Sequence, residues 1–378
     1  MRLLLITNLY PPQELGGYGR CMADFAWGLL QRGHWLQVLC SDASYLGCAG
    51  AGPSGEPVDR RLQLKGSFNQ GVQVLHDGAA RAAVDAANAQ VLQRWLAAGP
   101  WDGVLLGNLD LLGPELLQPL LASGLRLLHH VGFVTPPFAR EQFPGSAQYR
   151  LLAASGAVRQ ALVQAGLPAA DAPVVYPGAR VDLFGPPRVT RPLPSPGGPL
   201  RVCFAGLQMV SKGPHTLLEA LVLLRERGVM AQAMLAGGSF QVDYASQLRR
   251  YCDAHGLGEQ VWFAPQLTRD QLARFFRLNQ VCVFPSLHPE AFGIVAAEAM
   301  ASGLALISTG VGGAAELFDD GISGLAYPAG DAAALAERLA RLAADPALLT
   351  RLQHNGQQRV RERFSVATAA QQLEALLH

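Results

Sequence analysis

Residues 284–303 read FPSLHPEAFGIVAAEAMASG, and this stretch is the most informative in the chain. The apolar residues that lead up to Phe284 predict a strand, and the small apolar residues from Ile294 to Ala301 predict a helix. A helix that begins just after Gly293 would direct its first free amides toward the preceding loop, where they can bind an anion. The stretch therefore predicts a strand, a loop and a short helix, with a phosphate site at the turn.

Two glutamates, Glu290 and Glu298, are separated by seven residues in this stretch. Glu298 falls within the predicted helix among apolar neighbours, where a carboxylate is costly unless a partner satisfies it. The vicinal hydroxyls of a ribose could be that partner, and an internal amide or an arginine is the structural alternative. Glu290 follows a proline in the loop and could equally be an ordinary solvated acid.

A second strand, loop and helix are predicted from Phe204 to Pro214, where the sequence reads FAGLQMVSKGP. Proline suits the first position of a helix. Lys212 should therefore lie beside the positively polarised end of that helix. Two positive features at one point suit a diphosphate, although an exposed loop lysine would have the same local sequence.

Two features of the first half of the chain are candidates for ligand contact. Gly16 and Gly17 precede a predicted helix and would let the backbone approach a ligand closely. The rival interpretation is a dinucleotide site with Asp42 as its ribose acid, but the G-x-G-x-x-G spacing is absent. His129 and His130 end a predicted strand. Either could act as an orienting or catalytic group in a site, since histidine changes charge near neutral pH, or could make structural hydrogen bonds.

Composition excludes several classes of protein. The 378 residues include 30 basic and 29 acidic side chains, a balance that argues against a nucleic-acid-binding surface. The six cysteines have no C-x-x-C spacing, so they predict neither a zinc site nor a disulfide framework. No apolar run approaches the ~20 residues needed to span a membrane, so a cytoplasmic setting is expected, with peripheral membrane contact left open. The arginines from Arg359 to Arg363 are predicted to form a solvated helix face.

Strand and helix patterns alternate on both sides of a proline-rich stretch between Gly185 and Pro199, which predicts a linker. The alternation predicts α/β domains whose parallel sheets are covered on both faces. Two such domains would bind a ligand between them, at the carboxyl ends of the strands. The final predicted helix, from about Val366 to Leu377, carries an apolar face that needs burial.

These motifs, in this order, resemble those of the retaining glycosyltransferases of family 4. The resemblance is carried by the paired glutamates in PEAFGIVAAEAMASG, by the continuation LALISTGVGGAAE from Leu304 to Glu316, and by Gly16-Gly17. It implies the GT-B fold, in which two Rossmann-like domains face each other across a cleft and a C-terminal helix returns to the first. The implied segments are an acceptor domain over residues 1–185, a donor domain over 186–362 and the returning helix over 363–378.

The resemblance also implies an activity: transfer of a hexosyl group from a nucleotide diphosphate sugar to a hydroxyl acceptor, with retained configuration and without a metal or cofactor. The acceptor would be a sugar, a lipid-linked group or a small molecule. The implied catalytic residues are His130, Lys212 and Glu290. Glu298 would hold the ribose, while Gln266 and Leu267 would contact the base. The implied donor-binding residues are Gly16, Gly17, Lys212, Gln266, Leu267, Glu290, Ala291, Phe292, Gly293, Ile294, Val295 and Glu298.

One position departs from the family pattern. Leu207 follows Gly206 where many members have arginine, so one cation of the usual diphosphate clamp is missing. Three alternatives stay open at this point. They are a sugar-nucleotide epimerase or phosphorylase on the same scaffold, a nucleotide-sugar-binding protein with little turnover, and a nicotinamide dehydrogenase.

Overall fold

The computed structural model describes residues 1–69, 71–185, 198–239 and 242–378, and they form two compact units. The first unit combines Met1–Pro177 with Val366–His378, and the second is Gly178–Ser365. The chain thus passes to the second unit upstream of the boundary predicted at residue 185. Most of the predicted linker, residues 186–197, lies outside the described residues.

The first unit is built around a parallel sheet. The strands of this unit are β1 (Arg2–Ile6), β2 (Trp35–Ser41), β3 (Val58–Leu62), β6 (Gly103–Leu106), β7 (Leu127–Val131) and β8 (Tyr149–Ala153), together with a separate antiparallel pair, β4 (Gly66–Ser67) and β5 (Gln73–Val74). Its helices are α1 (Tyr18–Gln31), α2 (Gly78–Ala97), α3 (Leu117–Ala122), α4 (Gly156–Gln164) and the C-terminal α12 (Val366–Leu377). Within the described part of this unit, six strands pair in parallel in the order β3-β2-β1-β6-β7-β8.

The second unit repeats the same plan. Its strands are β9 (Leu200–Ala205), β10 (Ala231–Ala236), β11 (Val261–Ala264), β12 (Val281–Phe284), β13 (Ala305–Ser308) and β14 (Leu325–Ala326). Its helices are α5 (Val181–Phe184), α6 (Pro214–Glu226), α7 (Val242–Ala254), α8 (Arg269–Arg277), α9 (Ile294–Ala301), α10 (Ala332–Ala344) and α11 (Pro346–Arg363). The six strands described here are parallel, in the order β11-β10-β9-β12-β13-β14.

Both sheets change direction beside their first strand. In each unit the chain adds strands on one side of the first strand and then crosses to its other side, so β1 meets β6 and β9 meets β12. Ligands of open α/β sheets bind at this switch point, outside the carboxyl ends of the strands. The predicted α/β class with two Rossmann-like sheets is confirmed, and the predicted end of β12 at Phe284 and the predicted bounds of α9 are those observed.

The C-terminal helix α12 packs against α1 of the first unit, as predicted. Gly28 of α1 allows the close approach, because a Cβ there would lie 2.7 Å from the Cβ of Ala370. Leu373 and Leu377 are buried, which satisfies the apolar face. Glu374 accepts hydrogen bonds from Arg32 and His34 at the border of this contact.

The predicted solvated face at Arg359 is wrong for that residue. Its Nε donates to the carbonyl of Leu317 at 2.9 Å, and its Nη1 lies 2.5 Å from the Asp319 carboxylate. Arg361 and Arg363 are exposed as expected. Arg359 therefore ties α11 to the loop that follows β13, because its guanidinium satisfies carbonyls that the loop leaves open.

No helix within the described ranges is long and apolar enough to cross a membrane.

Shortening a buried side chain of α12 should destabilise the first unit. Leu373→Ala removes a fully buried side chain and should lower the free energy of unfolding of this unit by about 2–5 kcal/mol, because a cavity is left. Chemical denaturation followed by fluorescence measures the change. Gln372→Ala, on the exposed face of the same helix, is the matched control and should cost less than about 0.5 kcal/mol. Equal effects of the two substitutions would contradict the packing role.

Candidate functional site

The switch point of the second unit brings its two predicted motifs together. β9 and β12 are paired in parallel, with Val202 opposite Val281, so their carboxyl ends meet at one edge of the sheet. The loop after β9 carries Lys212, and the loop after β12 carries Glu290. The geometry follows from parallel pairing, which places the loops that follow neighbouring strands on the same edge.

Lys212 and Glu290 form an ion pair across this edge. Lys212 Nζ lies 2.6 Å from Glu290 Oε1, and the Ser286 hydroxyl donates to the same oxygen at 2.5 Å. The Lys212 side chain keeps 31% of its surface exposed and that of Glu290 keeps 14%, so both remain accessible from solvent. The two side chains are therefore paired with each other, and neither is solvated alone.

The backbone of Glu290 is held by the loop after β13. Its N–H donates to the Val311 carbonyl at 3.1 Å, and its own carbonyl accepts from the Gly313 N–H at 2.7 Å. Gly312 lies between these partners with φ of +67°, and a Cβ there would come within 2.5 Å of the Glu290 carbonyl oxygen. Only glycine fits both constraints. The segment LALISTGVGGAAE thus acts as a brace for Glu290, a role that the sequence did not predict.

Glu298 lies inside α9 and is completely buried. Arg269 Nη2 donates to its Oε1 at 3.0 Å, so the arginine partner considered from the sequence is present. Arg269 is the first residue of α8, and its guanidinium also lies 5.6 Å from the Phe184 ring. Its role could not be found from the sequence, because 29 residues separate it from Glu298 and no local pattern links the two.

The turn before α9 has a partly exposed backbone, whereas the side chain of its Phe292 is buried. Phe292 is buried against Phe364, with ring centroids 5.6 Å apart, so it can offer a ligand only its main chain. Gly293, Ile294 and Val295 remain partly exposed at the start of the helix. This is the arrangement expected of a helix end that receives an anion.

The predicted base-contact residues follow β11 at the same edge of the sheet. Gln266 is exposed and Leu267 is partly buried. The Gln266 amide lies beside Gly238, which follows β10. The Gln208 side chain joins the neighbouring loops, because its Nε2 donates to the Gly237 carbonyl at 3.1 Å. The loops after β9, β10 and β11 therefore lie side by side.

In the first unit, Gly16 and Gly17 end the loop that leads into α1, and Gly16 has φ of +70°. This loop is anchored by Arg60, which donates to the carbonyl of Tyr10 at 3.0 Å and to that of Pro11 at 2.7 Å. Asp42 accepts from the Gln13 side chain at 2.8 Å. In this structure the rival ribose acid of a dinucleotide site thus belongs to the loop's own support.

His129 and His130 lie at the carboxyl end of β7, completely or almost completely buried. His130 Nε2 donates to the Val175 carbonyl at 2.8 Å, and the Tyr18 hydroxyl lies 3.1 Å from its Nδ1. His129 Nδ1 lies 2.6 Å from the Tyr149 hydroxyl. Burial lowers the pKa of His130 to about 4 and that of His129 to about 3, so both are neutral at pH 7.

Both histidines also line a cavity of about 180 Å³ in the first unit. Asn108 and Asp110, which follow β6, line it together with Phe133 and Thr135, which follow β7. The structure thus places the predicted catalytic histidine, His130, at the wall of a cavity. The remaining predicted site residues are found in two places: Gly16 and Gly17 before α1, and the others at one edge of the second sheet.

Known proteins resemble this chain over different lengths of its sequence. The family model of the glycosyl transferases group 1 matches residues 189–359. Alpha-maltose-1-phosphate synthase of Mycobacterium tuberculosis is 29% identical over 404 residues, which cover 98% of this chain and 97% of that protein. D-inositol 3-phosphate glycosyltransferase of Streptomyces bingchenggensis is 35% identical over 208 residues, covering 52% of this chain and 45% of that protein, so this match spans about half of that relative.

Two solved structures match the whole fold. HepE of Anabaena, in complex with UDP and glucose, has a TM-score of 0.75 and 21% identity, with 100% of this chain and 99% of that chain covered. Sucrose-phosphate synthase of Thermosynechococcus elongatus has a TM-score of 0.76 and 22% identity, with 99% and 98% covered. The fold is GT-B. These neighbours show the fold alone, and the family model matches residues of the second unit.

The buried histidines should make the first unit sensitive to acid. A histidine whose pKa is lowered on folding stays neutral in the folded protein while the unfolded chain takes up a proton near pH 6.5, so stability falls as the pH drops below that value. Between pH 7.5 and pH 5 the loss should be about 2 kcal/mol for each of His129 and His130. Denaturation at the two pH values measures it.

The matched comparison uses substitutions of a buried and an exposed histidine. His129→Asn should reduce the pH dependence of stability, whatever its effect at pH 7.5, because one of the two protonation sites is removed. His76→Asn, at an exposed position, should leave the dependence unchanged. The same pH dependence in His129→Asn as in the unmodified chain would show that this histidine is not held neutral.

Proposed function

We propose that this protein is a retaining glycosyltransferase of family 4 that moves a hexosyl group from a nucleotide diphosphate sugar to a hydroxyl acceptor. The observation that carries the proposal is the 2.6 Å ion pair between Lys212 and Glu290 at the switch point of the second sheet. It lies within the span that matches the group 1 model. The complex of HepE with UDP and glucose supports a donor of the uridine diphosphate sugar type.

The donor is proposed to exchange partners with the ion pair. Lys212 turns from Glu290 to the diphosphate, which also takes the first amides of α9, from Gly293 to Val295. Glu290, released from the lysine, accepts hydrogen bonds from the hydroxyls of the transferred sugar. A diphosphate carries more negative charge than a carboxylate, so the exchange is favourable once the donor is present.

The nucleoside part is proposed to lie along the loops after β10 and β11. Gln266 and Leu267 lie at the same edge of the sheet as Lys212 and Glu290, where they can contact the base. Glu298 is assigned to the ribose hydroxyls, with Arg269 orienting its carboxylate from the other side. An arginine that donates to one carboxylate oxygen fixes the direction of that carboxylate.

The reaction is proposed to occur on one face of the sugar. The bond between the anomeric carbon and the diphosphate oxygen breaks, and the acceptor oxygen bonds to the same face of that carbon. The acceptor hydroxyl gives its proton to the departing diphosphate oxygen. Lys212 and the helix end stabilise the charge that develops there, which is a role that needs no metal ion.

His130 is proposed to hydrogen-bond sugar hydroxyls as a neutral group. With a pKa of about 4 it is a weak base at pH 7, which favours an orienting role over proton abstraction. Tyr18 and the Val175 carbonyl hold its ring from two sides, so its direction is set by the fold.

A second candidate function is nucleotide-sugar binding with little turnover. Leu207 favours it, because this partly buried leucine occupies the position where the family usually supplies a second cation for the diphosphate. Tight binding of a nucleotide sugar without transfer to any acceptor would identify this case.

Removing the Lys212 charge should weaken both donor binding and transfer. Lys212→Ala should lower kcat/KM for the donor by about 100-fold or more, because one charge-assisted contact to the leaving group is lost in the transition state. The donor is first chosen from UDP-, GDP- and ADP-sugars by thermal shift, where a ligand at 100 times its Kd stabilises by about 2.7 kcal/mol. Isothermal titration then measures its Kd for each variant.

The control for this prediction is another cation of the same unit. Arg227→Ala lies at the exposed end of α6, away from the carboxyl edge of the sheet, and should leave kcat/KM within about twofold of the unmodified value. If Lys212→Ala also retains its activity, the proposed role of the ion pair is wrong.

The anomeric configuration of the product tests the reaction course. We expect the configuration of the donor to be retained, since departure and attack are proposed to share one face of the sugar. NMR of the freshly formed glycoside, read from the coupling between its first two ring protons, decides the matter. An inverted product would exclude the retaining assignment and leave the fold and the donor site unaffected.

A further inference from the structure

The cavity of the first unit carries a distinctive charge. It lies at the carboxyl ends of β6 and β7, and among the lining residues that the structure describes only Asp110 carries a formal charge at pH 7. The two lining histidines are neutral there, because burial lowers their pKa to about 3 and about 4. The described lining contains no lysine or arginine. A ligand in this cavity therefore meets a net negative wall.

The Asp110 carboxylate is held in place at this wall. Asn108 Nδ2 donates to its Oδ2 at 3.0 Å, and Asn8 Nδ2 donates to the Asp110 carbonyl at 3.2 Å. Both asparagines belong to loops that follow strands of the sheet. Asp110 is exposed, and Asn108 orients one of its carboxylate oxygens while the other can accept from a ligand.

Two basic side chains of the first unit, Lys65 and Arg60, are committed to other partners. Lys65 lies 2.6 Å from both Asp85 and Glu115. Arg60 donates to the carbonyls of the loop before α1. Arg60 could turn to an incoming anion only by leaving the carbonyl of the buried Tyr10 without this donor, which costs about 1–3 kcal/mol. Lys65 could do so only by giving up its two carboxylate partners.

The rest of the lining suits a ring that carries hydroxyl groups. Phe133 is 40% exposed and can pack against the C–H face of a sugar or cyclitol. Asn108 and Thr135 supply a donor and acceptor each, which match hydroxyls that both donate and accept. The volume of about 180 Å³ is adequate for one six-membered ring, since a cavity of about 150 Å³ is known to bind benzene.

We propose that this cavity binds the reacting ring of an uncharged polyol acceptor, a neutral sugar or cyclitol, and discriminates against a ring that bears a phosphate. The proposal rests on the proposed function, since it names the acceptor class of the same enzyme. A phosphate monoester carries about −1.5 to −2 charges at pH 7 and accepts hydrogen bonds without donating. It would be repelled by Asp110 and would find no cation in the described lining.

Paired acceptors test the discrimination. The purified chain is given UDP-glucose, or the sugar nucleotide selected by thermal shift, and either myo-inositol or D-inositol 3-phosphate, then either glucose or glucose 6-phosphate. We expect kcat/KM to be at least about tenfold higher for the neutral member of a pair, the effect of one like charge at close range in a partly solvated site. Preference for the phosphorylated members would overturn the proposal.

Substitution of Asp110 tests whether its charge causes the preference for the neutral acceptor. Asp110→Asn keeps the shape of the side chain and removes its charge. It should reduce the preference for the neutral over the phosphorylated acceptor about fivefold to tenfold, by raising kcat/KM for the phosphorylated acceptor. The Kd of UDP-glucose, measured by titration calorimetry, should stay unchanged, because Asp110 is not among the residues proposed to bind the donor. Asp171→Asn, at an exposed position of the first unit that does not line the cavity, should leave the preference as it was. An unchanged preference in Asp110→Asn would refute the role of this carboxylate.

Binding without turnover separates this proposal from the proposed function. Saturation-transfer NMR with each acceptor, in the absence of donor, reports occupancy of the cavity even if no glycoside forms. Failure of the proposed function would appear as no transfer and no nucleotide-sugar binding, with the neutral rings still bound. Equal binding of neutral and phosphorylated rings, or binding of neither neutral ring, would overturn the cavity's assignment.

Discussion

Parallel pairing of β9 with β12 is the constraint on which the candidate site depends. It places the loops after these two strands at the same edge of the sheet and so brings Lys212 within 2.6 Å of Glu290, although 78 residues separate them in the chain. The first unit uses the same rule. Pairing of β6 with β7 places Asn108 and Asp110 beside the histidines that end β7. Each unit thus collects its polar groups where the strands end, because the strand interiors are buried and apolar.

Charges in both units are neutralised locally. Lys212 has Glu290, Arg269 has Glu298, and Lys65 has two carboxylates, which agrees with a chain whose net charge is +1. Breaking a buried pair by removing one partner is costly. A charged ligand is therefore accommodated best by exchanging partners with an existing pair. The partly exposed Lys212 and Glu290 can do this, whereas the completely buried Glu298 is better suited to hold a fixed position.

The elements with strong local signals were predictable, and those with weak signals were not. The strand β12 and the helix α9 have an apolar run, a glycine and a small-residue helix in close succession, and the predicted end of β12 and the predicted bounds of α9 are the observed ones. The 20-residue helix α2 went unpredicted. It is rich in alanine, and only Asn88, Val91 and Leu92 are buried along its length, so it has no apolar stripe for a periodicity to reveal.

The amino-acid sequence alone predicts the alternation of strands and helices, the two α/β units and the positions of the motif loops, because apolar periodicity and the backbone preferences of glycine and proline act over a few residues. Which charges pair, as with Arg269 and Glu298, and how Gly312 braces Glu290 are set by the tertiary fold. It also decided that His129 and His130 stay neutral at pH 7. These properties depend on burial and on contacts between residues far apart in the chain, which local sequence does not encode.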